Sequence, residues 1–366
     1  IHGAFGEDGV LRAALESAGV PFVGSPSRAA DAAFDKASCA ATLRRAGFPV
    51  LPALVLAASE LKRVDSDDPK SERVRSSAVR AKIRAWFDAL SVDPSLGAVA
   101  VKPARGGSSL GVVVGRGVAF AAEAAERTAD AFPAETAILV ERHAGPRARE
   151  FTAIVLETRD GPVALAPTEV QVRGADDEEE EAPEEAKAAA EATAGRASRL
   201  ASDPSDLVGS SDLVSRVFDF RRKYLPSRLV AYHTPARFGD AGVRACMREA
   251  ERAFAALGLR DVARLDGFFL PSDDAALFEL ELESGERGGG IGSSTRAAAA
   301  EAAGGFPVFT DVNVVSGMEQ TSFMFLQAAE AGLAHGGVLR HCLESACARH
   351  GARPPPRPRR GGGEGE

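Results

Sequence analysis

The chain has 366 residues, 44 basic and 52 acidic side chains, and a formal net charge of −8. That length suits two or three domains, and 45% hydrophobic residues are enough to build buried cores. The charge balance excludes the basic excess of a nucleic-acid binder, and no apolar stretch reaches the length of a membrane span.

The first residue, Ile1, is not methionine and falls in mid-pattern, so the chain reads as a fragment with a truncated start. Residues 8–19 carry apolar side chains at Val10, Leu11, Ala14, Leu15 and Ala18, a helical spacing that Gly19 stops. Val20-Pro21-Phe22-Val23 reads as a short strand closed by Gly24-Ser25-Pro26. Residues 34–46 are helical again, and Phe48-Pro49-Val50 is extended. This alternation argues for α/β architecture at the start. The charged stretch 59–93 contains a helix around 79–90 with the single tryptophan, Trp86. Strands at 98–102 and 111–114, joined by a short loop, form a hairpin. An alanine-rich helix over 119–131 and a strand over 137–141 follow.

Three segments read as insertions. The mildest is 59–93. Residues 174–211 combine eight acidic side chains within 176–185 with an Ala/Glu/Ser stretch too poor in apolar surface to fold alone. Residues 284–305 read as a flexible loop or a weak helix, and the Pro- then Gly-rich tail as disordered. Cys39, Cys246, Cys342 and Cys347 show no C-x-x-C spacing and are too few for a disulfide scaffold, as in a reducing, intracellular setting.

Four features carry chemistry. In Val101-Lys102-Pro103-Ala104-Arg105-Gly106-Gly107-Ser108-Ser109-Leu110-Gly111 a lysine ends a strand before a small-residue loop. Its backbone N–H groups and hydroxyls can close over an anion, or the segment is an ordinary hairpin turn. It lacks the Gly-Lys-Ser/Thr ending of a P-loop. Lys223-Tyr224 and Tyr232 bring both tyrosines of the chain into one basic segment, which taken alone is a surface loop with packing aromatics. Arg264 and Asp266 share a strand face, as an ion pair or as an oxyanion stabiliser beside a metal ligand. Asp311 and Asn313 share a face too, and offer hard oxygens suited to Mg²⁺ or form a buried polar ladder.

In order, these pieces resemble the D-alanine–D-alanine ligases of the ATP-grasp superfamily, from Ile1 to about Ala348. The matching segments are His2-Gly3 with Gly6-Glu7-Asp8-Gly9, Asp35-Lys36, Gly47-Phe48-Pro49-Val50, Val101-Lys102-Pro103 with Gly107-Ser108-Ser109-Leu110-Gly111, and Val140-Glu141. Arg149-Glu150-Phe151, Lys223-Tyr224, Pro235-Ala236, Arg264-Leu265-Asp266, Asp311-Val312-Asn313 and Ser316-Gly317-Met318 with Ser322 complete the series. The resemblance implies an ATP-grasp fold of mixed α/β and α+β class. It implies a remnant N-terminal α/β domain over 1–35, a central lobe over 36–141, and a C-terminal lobe over 142–350. The insertions fall at 174–211 and 284–305 and the tail at 351–366.

The implied reaction is ATP-dependent ligation of two D-alanines through an acylphosphate, for peptidoglycan precursor synthesis. The implied cofactors are ATP and Mg²⁺ or Mn²⁺. Lys102 and Lys223 would hold the phosphates, Glu141 and Glu150 the adenine and ribose ends, and Asp266, Asp311 and Asn313 the metal. Arg264 and the Gly317 N–H would stabilise the oxyanion. His2, Ser108, Tyr224 and Ser322 would orient the amino acids, with Tyr224 on a lid. The expected partners are small-molecule substrates, with no nucleic acid or membrane and a homodimer as the candidate assembly. The expected compartment is the cytoplasm, or a plastid stroma.

The sequence departs from the family in places. The family's first strand and its ammonium-anchoring glutamate would lie before Ile1. Ala40 replaces a lysine, Asp311 stands where glutamate is usual, and Ser316 where proline is usual. Glu279-Leu280-Glu281 offers a second register for the metal ligands, but Gly317-Met318 and Ser322 follow Asp311-Val312-Asn313 in pattern. The alternatives are another ATP-grasp carboxylate–amine ligase with a different amino or hydroxy acid, and a non-catalytic domain of a larger polypeptide.

Overall fold

The computed structural model of the chain describes residues 3–62, 69–107, 110–172, 230–274 and 293–353. Helices α1 (Val10–Ser17), α2 (Ser27–Phe34) and α3 (Lys36–Arg45) come first, then strand β1 (Ala53–Ala57) and helices α4 (Ala58–Leu61) and α5 (Pro69–Ala89). Strands β2 (Ala98–Pro103) and β3 (Val113–Arg116), helix α6 (Gly117–Ala131) and strand β4 (Ala137–Arg142) follow. Beyond the connection at 143–148 lie β5 (Arg149–Thr158), β6 (Gly161–Ala164), β7 (Thr168–Val172), β8 (Val230–His233), helix α7 (Gly239–Ala256) and β9 (Val262–Leu270). Helix α8 (Ser293–Ala303), strand β10 (Phe306–Asn313) and helices α9 (Phe323–Glu330) and α10 (His335–His350) complete the order.

The first sheet is antiparallel, in the order β1-β4-β2-β3. Its hairpin sets Val101 opposite Val113, as the sequence leads one to expect. Alternation turns Val99, Val101, Ile138 and Val140 to one face, where they pack with Ile83 and Phe87 of α5 and the alanines of α6. Burying side chains such as Ile83 and Phe87 is worth about 1.5–3 kcal/mol each. The other face of the same strands is left to Lys102 and Glu141.

The second sheet runs β10-β9-β5-β7-β8, with β6 on β5. One side is closed by α7, whose Cys246, Ala250, Ala253 and Phe254 meet Phe151, Ala153, Leu265 and Phe269. Ala30, Ala33, Cys39 and Leu43 of α2 and α3 join this same core, so the N-terminal helices are anchored on the second sheet. A separate cluster sets Ile154, Leu156 and Val262 against Met324, Phe325, Val338 and Cys342 of the last two helices. Glu169 is buried between Arg149 and Arg237. Burial alone would raise its pKa, but hydrogen bonds from Arg237 and Arg149 prevail and hold the carboxyl below its ordinary value.

Several sequence expectations change. Residues 20–23 join no sheet, because Pro21 lacks a donor and the carbonyls of Phe22 and Gly24 are taken by Arg349 Nη2, at 2.9 and 3.0 Å. The helix expected over 34–46 breaks at Asp35, which is extended (φ −85°, ψ 107°) and accepts from the Ser38 N–H at 2.8 Å to cap α3. Helix α2 and strand β1 were not expected, and Phe48-Pro49-Val50 belongs to no strand. The helix around 79–90 begins at Pro69, and 293–303 of the 284–305 segment is helical. Residues 174–211 and the tail beyond 353 lie outside the described residues.

Asp261 ties the two ends of the described chain together. Fully buried, it accepts from the Gly24 N–H at 2.7 Å, Ser345 Oγ at 2.9 Å and Arg349 Nη2 at 2.7 Å. Removing one partner of such a pair strands a buried charge, so Asp261→Ala should cost about 3–5 kcal/mol. Urea denaturation measures this, and a loss below about 1 kcal/mol, the range of an exposed pair, would show that the buried network is not a tie.

Candidate active site

The site begins with a fault in strand pairing. On β10, Phe309 lies opposite Gly267, yet Asp311 and not Thr310 lies opposite Asp266. Thr310 is thus the extra residue of a β-bulge. Strict alternation would send Phe309, Asp311 and Asn313 to one face. The bulge instead keeps Phe309 and Val312 in the core and turns Asp311 and Asn313 to the face of Arg264 and Asp266. Gly267 permits it: a Cβ there would strike the Val308 carbonyl and lie 3.0 Å from Phe309 Cα. The rings of Phe151 and Phe309, both opposite Gly267, meet edge-on at 5.9 Å.

Asp266 is the centre of the resulting polar layer. Arg264 donates through Nε at 3.1 Å and Nη2 at 3.0 Å, Asn313 Nδ2 at 3.0 Å, and Thr152 Oγ1 from β5 at 2.7 Å. Burial favours the neutral form of Arg264, but the Asp266 charge and its hydrogen bonds prevail, so the guanidinium is held above its ordinary pKa. Arg264 is therefore a fixed positive charge beside two carboxylates. Among the described residues no group of three His, Cys, Asp or Glu side chains is arranged to hold a metal ion. Asp266, Asp311 and Asn313 present two carboxylates and an amide oxygen. That set fits Mg²⁺, which takes one or two protein carboxylates and leaves other positions to water and phosphate.

The glycine-rich loop after β2 reaches this layer through Lys36. Lys36 Nζ donates to the Gly106 carbonyl at 2.6 Å and stands 3.3 Å from Asp311 Oδ1. The Lys36 N–H also donates to the Ala104 carbonyl at 2.9 Å. On the first sheet, Lys102 Nζ pairs with Glu141 Oε1 at 2.6 Å, both side chains largely buried. The phosphate and adenine roles expected of these two residues thus meet at one ion pair. Glu141 and Glu150 stand on either side of the 143–148 connection, near the end of β4 and the start of β5. A cavity of about 280 Å³ opens beside that connection, between Leu51 and Pro52, residues 142–147, and Leu270 and Asp274. Burial holds the His143 imidazole there below its ordinary pKa, with Arg116 adding to the effect.

Past β10, Ser316 Oγ and Ser322 Oγ are buried and, among the described residues, unpartnered. A Cβ on Gly317 would lie 3.3 Å from Ser322 Cβ, so the glycine expected as an oxyanion donor adjoins the expected substrate-binding serine. His2, Ser108, Lys223, Tyr224, Glu279 and Glu281 lie outside the described residues. Sequence reading missed the contacts of Lys36 with Gly106 and Asp311, and the Thr152 contact. The Asp35-Lys36 match pointed at the first, and alternation from Glu150 would have put Thr152 on the cleft face.

No family model matches the chain. It is similar to the D-alanine–D-alanine ligase of Methylobacterium sp. (strain 4-46), 32% identical over 285 residues, covering 78% of this chain and 57% of that protein. The enzymes of the same name from Kineococcus radiotolerans (31%; 74% and 56%) and Bifidobacterium animalis subsp. lactis (26%; 76% and 62%) are also similar. The chain thus spans less than two thirds of the length of these curated relatives. Among solved structures it resembles the D-alanine–D-alanine ligase of Coxiella burnetii (TM-score 0.56, 16% identity, 96% of this chain and 68% of that one). The VanG D-Ala:D-Ser ligase of Enterococcus faecalis gives a TM-score of 0.58 at 18% identity, over 94% of this chain and 71% of that one. In sequence the chain is similar to the D-alanine–D-alanine ligases, and its fold is the ATP-grasp fold of their structures.

The bulge yields a prediction. Gly267→Ala must push β10 away from β9, and overpacking of this kind costs about 1–3 kcal/mol. Denaturant midpoints should fall accordingly, and an unchanged midpoint would mean that the strands do not approach as described.

Proposed function

We propose that the chain joins two D-alanine molecules to D-alanyl-D-alanine, using ATP, as a carbon–nitrogen ligase of peptidoglycan precursor synthesis. The observation that carries the reading is the polar layer of Arg264, Asp266, Asp311 and Asn313, gathered by one bulge on an ATP-grasp sheet. Similarity to enzymes of that name supports it. In the proposed division, residues 1–35 belong to an N-terminal α/β domain, 36–141 to the central lobe and 142–350 to the C-terminal lobe. The cytoplasm is the proposed compartment and a homodimer the proposed assembly.

In this mechanism a carboxylate oxygen of the first D-alanine takes the γ-phosphoryl group and ADP leaves with the bond pair. The amine of the second attacks the acylphosphate carbon, loses a proton, and phosphate departs with the C–O pair. Asp266, Asp311 and Asn313 would hold Mg²⁺, which when bound supplies charge neutralisation for the phosphates. Arg264, kept cationic and aimed by Asp266, faces the oxyanion with the Gly317 N–H. Lys102 and Lys223 hold phosphate, and Glu141 and Glu150 the adenine and ribose ends. His2, Ser108, Tyr224 and Ser322 orient the amino acids.

Phosphate release from Mg·ATP, measured with D-Ala, D-Ser and D-lactate, tests the reading. Turnover should require D-Ala, and Arg264→Ala should lower kcat by about 10²–10³, the value of one oxyanion donor. Release that ignores every amino acid, or an Arg264→Ala variant with full kcat, would contradict it.

A further inference from the structure

Gln327 of α9 is fully buried, and both ends of its amide are hydrogen-bonded. Its place follows from a break in the second sheet. On the edge of β5 away from β9, β7 pairs with 150–152 and β6 with 155–158, and neither strand pairs with Ala153 or Ile154. There the Gln327 side chain stands in for a strand peptide. Its Oε1 accepts from the Ile154 N–H at 2.9 Å, and its Nε2 donates to the Thr152 carbonyl at 2.9 Å and to Thr168 Oγ1 at 3.1 Å. These partners leave the amide one orientation, since the N–H needs an acceptor and the carbonyl a donor.

The consequence lies in what the two elements carry. Thr152 holds Asp266 through its hydroxyl at 2.7 Å, and Ser322 stands at the head of α9 as its N-cap. Met324, Phe325 and Ala328 of the helix share one apolar cluster with Ile154, Leu156 and Val262. Apolar burial is non-directional and tolerates a helix shifted along the strand. The amide does not, because a shift leaves a buried carbonyl and N–H unpaired. On its opposite edge β5 pairs with β9 without a break from Arg149 to Leu156, so the part that the amide fixes is the helix. Resting on the ligase reading above, we propose that Gln327 is a positioning residue of the reaction. It sets the register of α9, and with it Ser322, against the strand that holds Asp266. No bond is made or broken by it.

Phosphate release by the 366-residue chain is measured against D-Ala and Mg·ATP for the wild type, Gln327→Met, Gln327→Glu and Met324→Ala. Gln327→Met should raise the KM for D-Ala about tenfold or more, the value of buried groups left unpaired, and keep that for Mg·ATP within about twofold. Met324→Ala empties apolar volume beneath the same helix but keeps the amide, so its KM for D-Ala should stay near the wild-type value. In Gln327→Glu a neutral carboxyl can still accept from Ile154 and donate to Thr152, whereas a carboxylate opposes the Thr152 carbonyl. Burial raises the pKa of such a carboxyl, so the KM of this variant should approach that of the wild type near about pH 6 and depart from it towards about pH 9. Unchanged KM for D-Ala in Gln327→Met would overturn the proposal, as would a parallel rise for Mg·ATP or an equal rise in Met324→Ala. A Gln327→Glu variant equally poor at both pH values would overturn it too. If Gln327→Met does not fold, the pH series of Gln327→Glu and the Met324→Ala comparison decide. A wild-type chain without D-Ala-dependent release would overturn the ligase reading and this proposal with it. Wild-type turnover with an indifferent Gln327→Met overturns this proposal alone.

Discussion

One extra residue in one strand decides where the polar layer of the second sheet lies. Thr310 has no partner opposite it in β9, and the strand beyond it is therefore turned over. Phe309 and Val312 stay in the apolar core, while Asp311 and Asn313 come to lie against Arg264 and Asp266. With regular pairing, two polar side chains would enter the core cluster built by Phe151, Leu265 and α7. Burying an unpaired carboxylate there would cost several kcal/mol or force it neutral. Core packing and the polar layer thus demand the same bulge, and Gly267 leaves space for it.

Everything else that bears on the site is fastened to that layer. Thr152 holds Asp266 from the neighbouring strand, and Lys36 links Asp311 to the loop that follows β2. The first sheet is joined to the second through the 143–148 connection, where Arg147 pairs with Asp273 and Asp274 at 2.7 Å. Those surface pairs add little stability alone. Their value is geometric, since they fix the end of β9 against the connection. The N-terminal helices are set by a different device, the buried Asp261–Arg349 pair, which draws 22–24 and the last helix to one point.

How much of this was legible depends on whether a feature is local. The strands at 98–102, 111–114 and 137–141 were legible as short apolar runs and the loop between the first two gave their hairpin, while β1 of the same sheet was missed. The pairing of Arg264 with Asp266 followed from alternation within one strand. The relation between Asp266 and Asp311 did not, because a bulge leaves no period and its glycine sits on the other strand. Residues 20–23 were misread for a related reason: the Phe22 carbonyl is claimed by Arg349, over three hundred residues away. The ordered motifs named a family that individual spacings could not. They did not reveal that Lys36 bridges the loop and the polar layer, since both of its partners are distant in sequence.

In the proposed function, the bulged pairing of β9 with β10 makes Asp266 and Asp311 the joint seat of a divalent metal. Diffraction at the manganese absorption edge, from crystals grown with Mn²⁺ and a non-hydrolysable ATP analogue, tests it most directly. An anomalous peak is expected about 2.0–2.3 Å from carboxylate oxygens of both Asp266 and Asp311, as hard-cation ligation requires. A peak held by Glu279 or Glu281 in place of Asp311, or no peak beside Asp266, would contradict it.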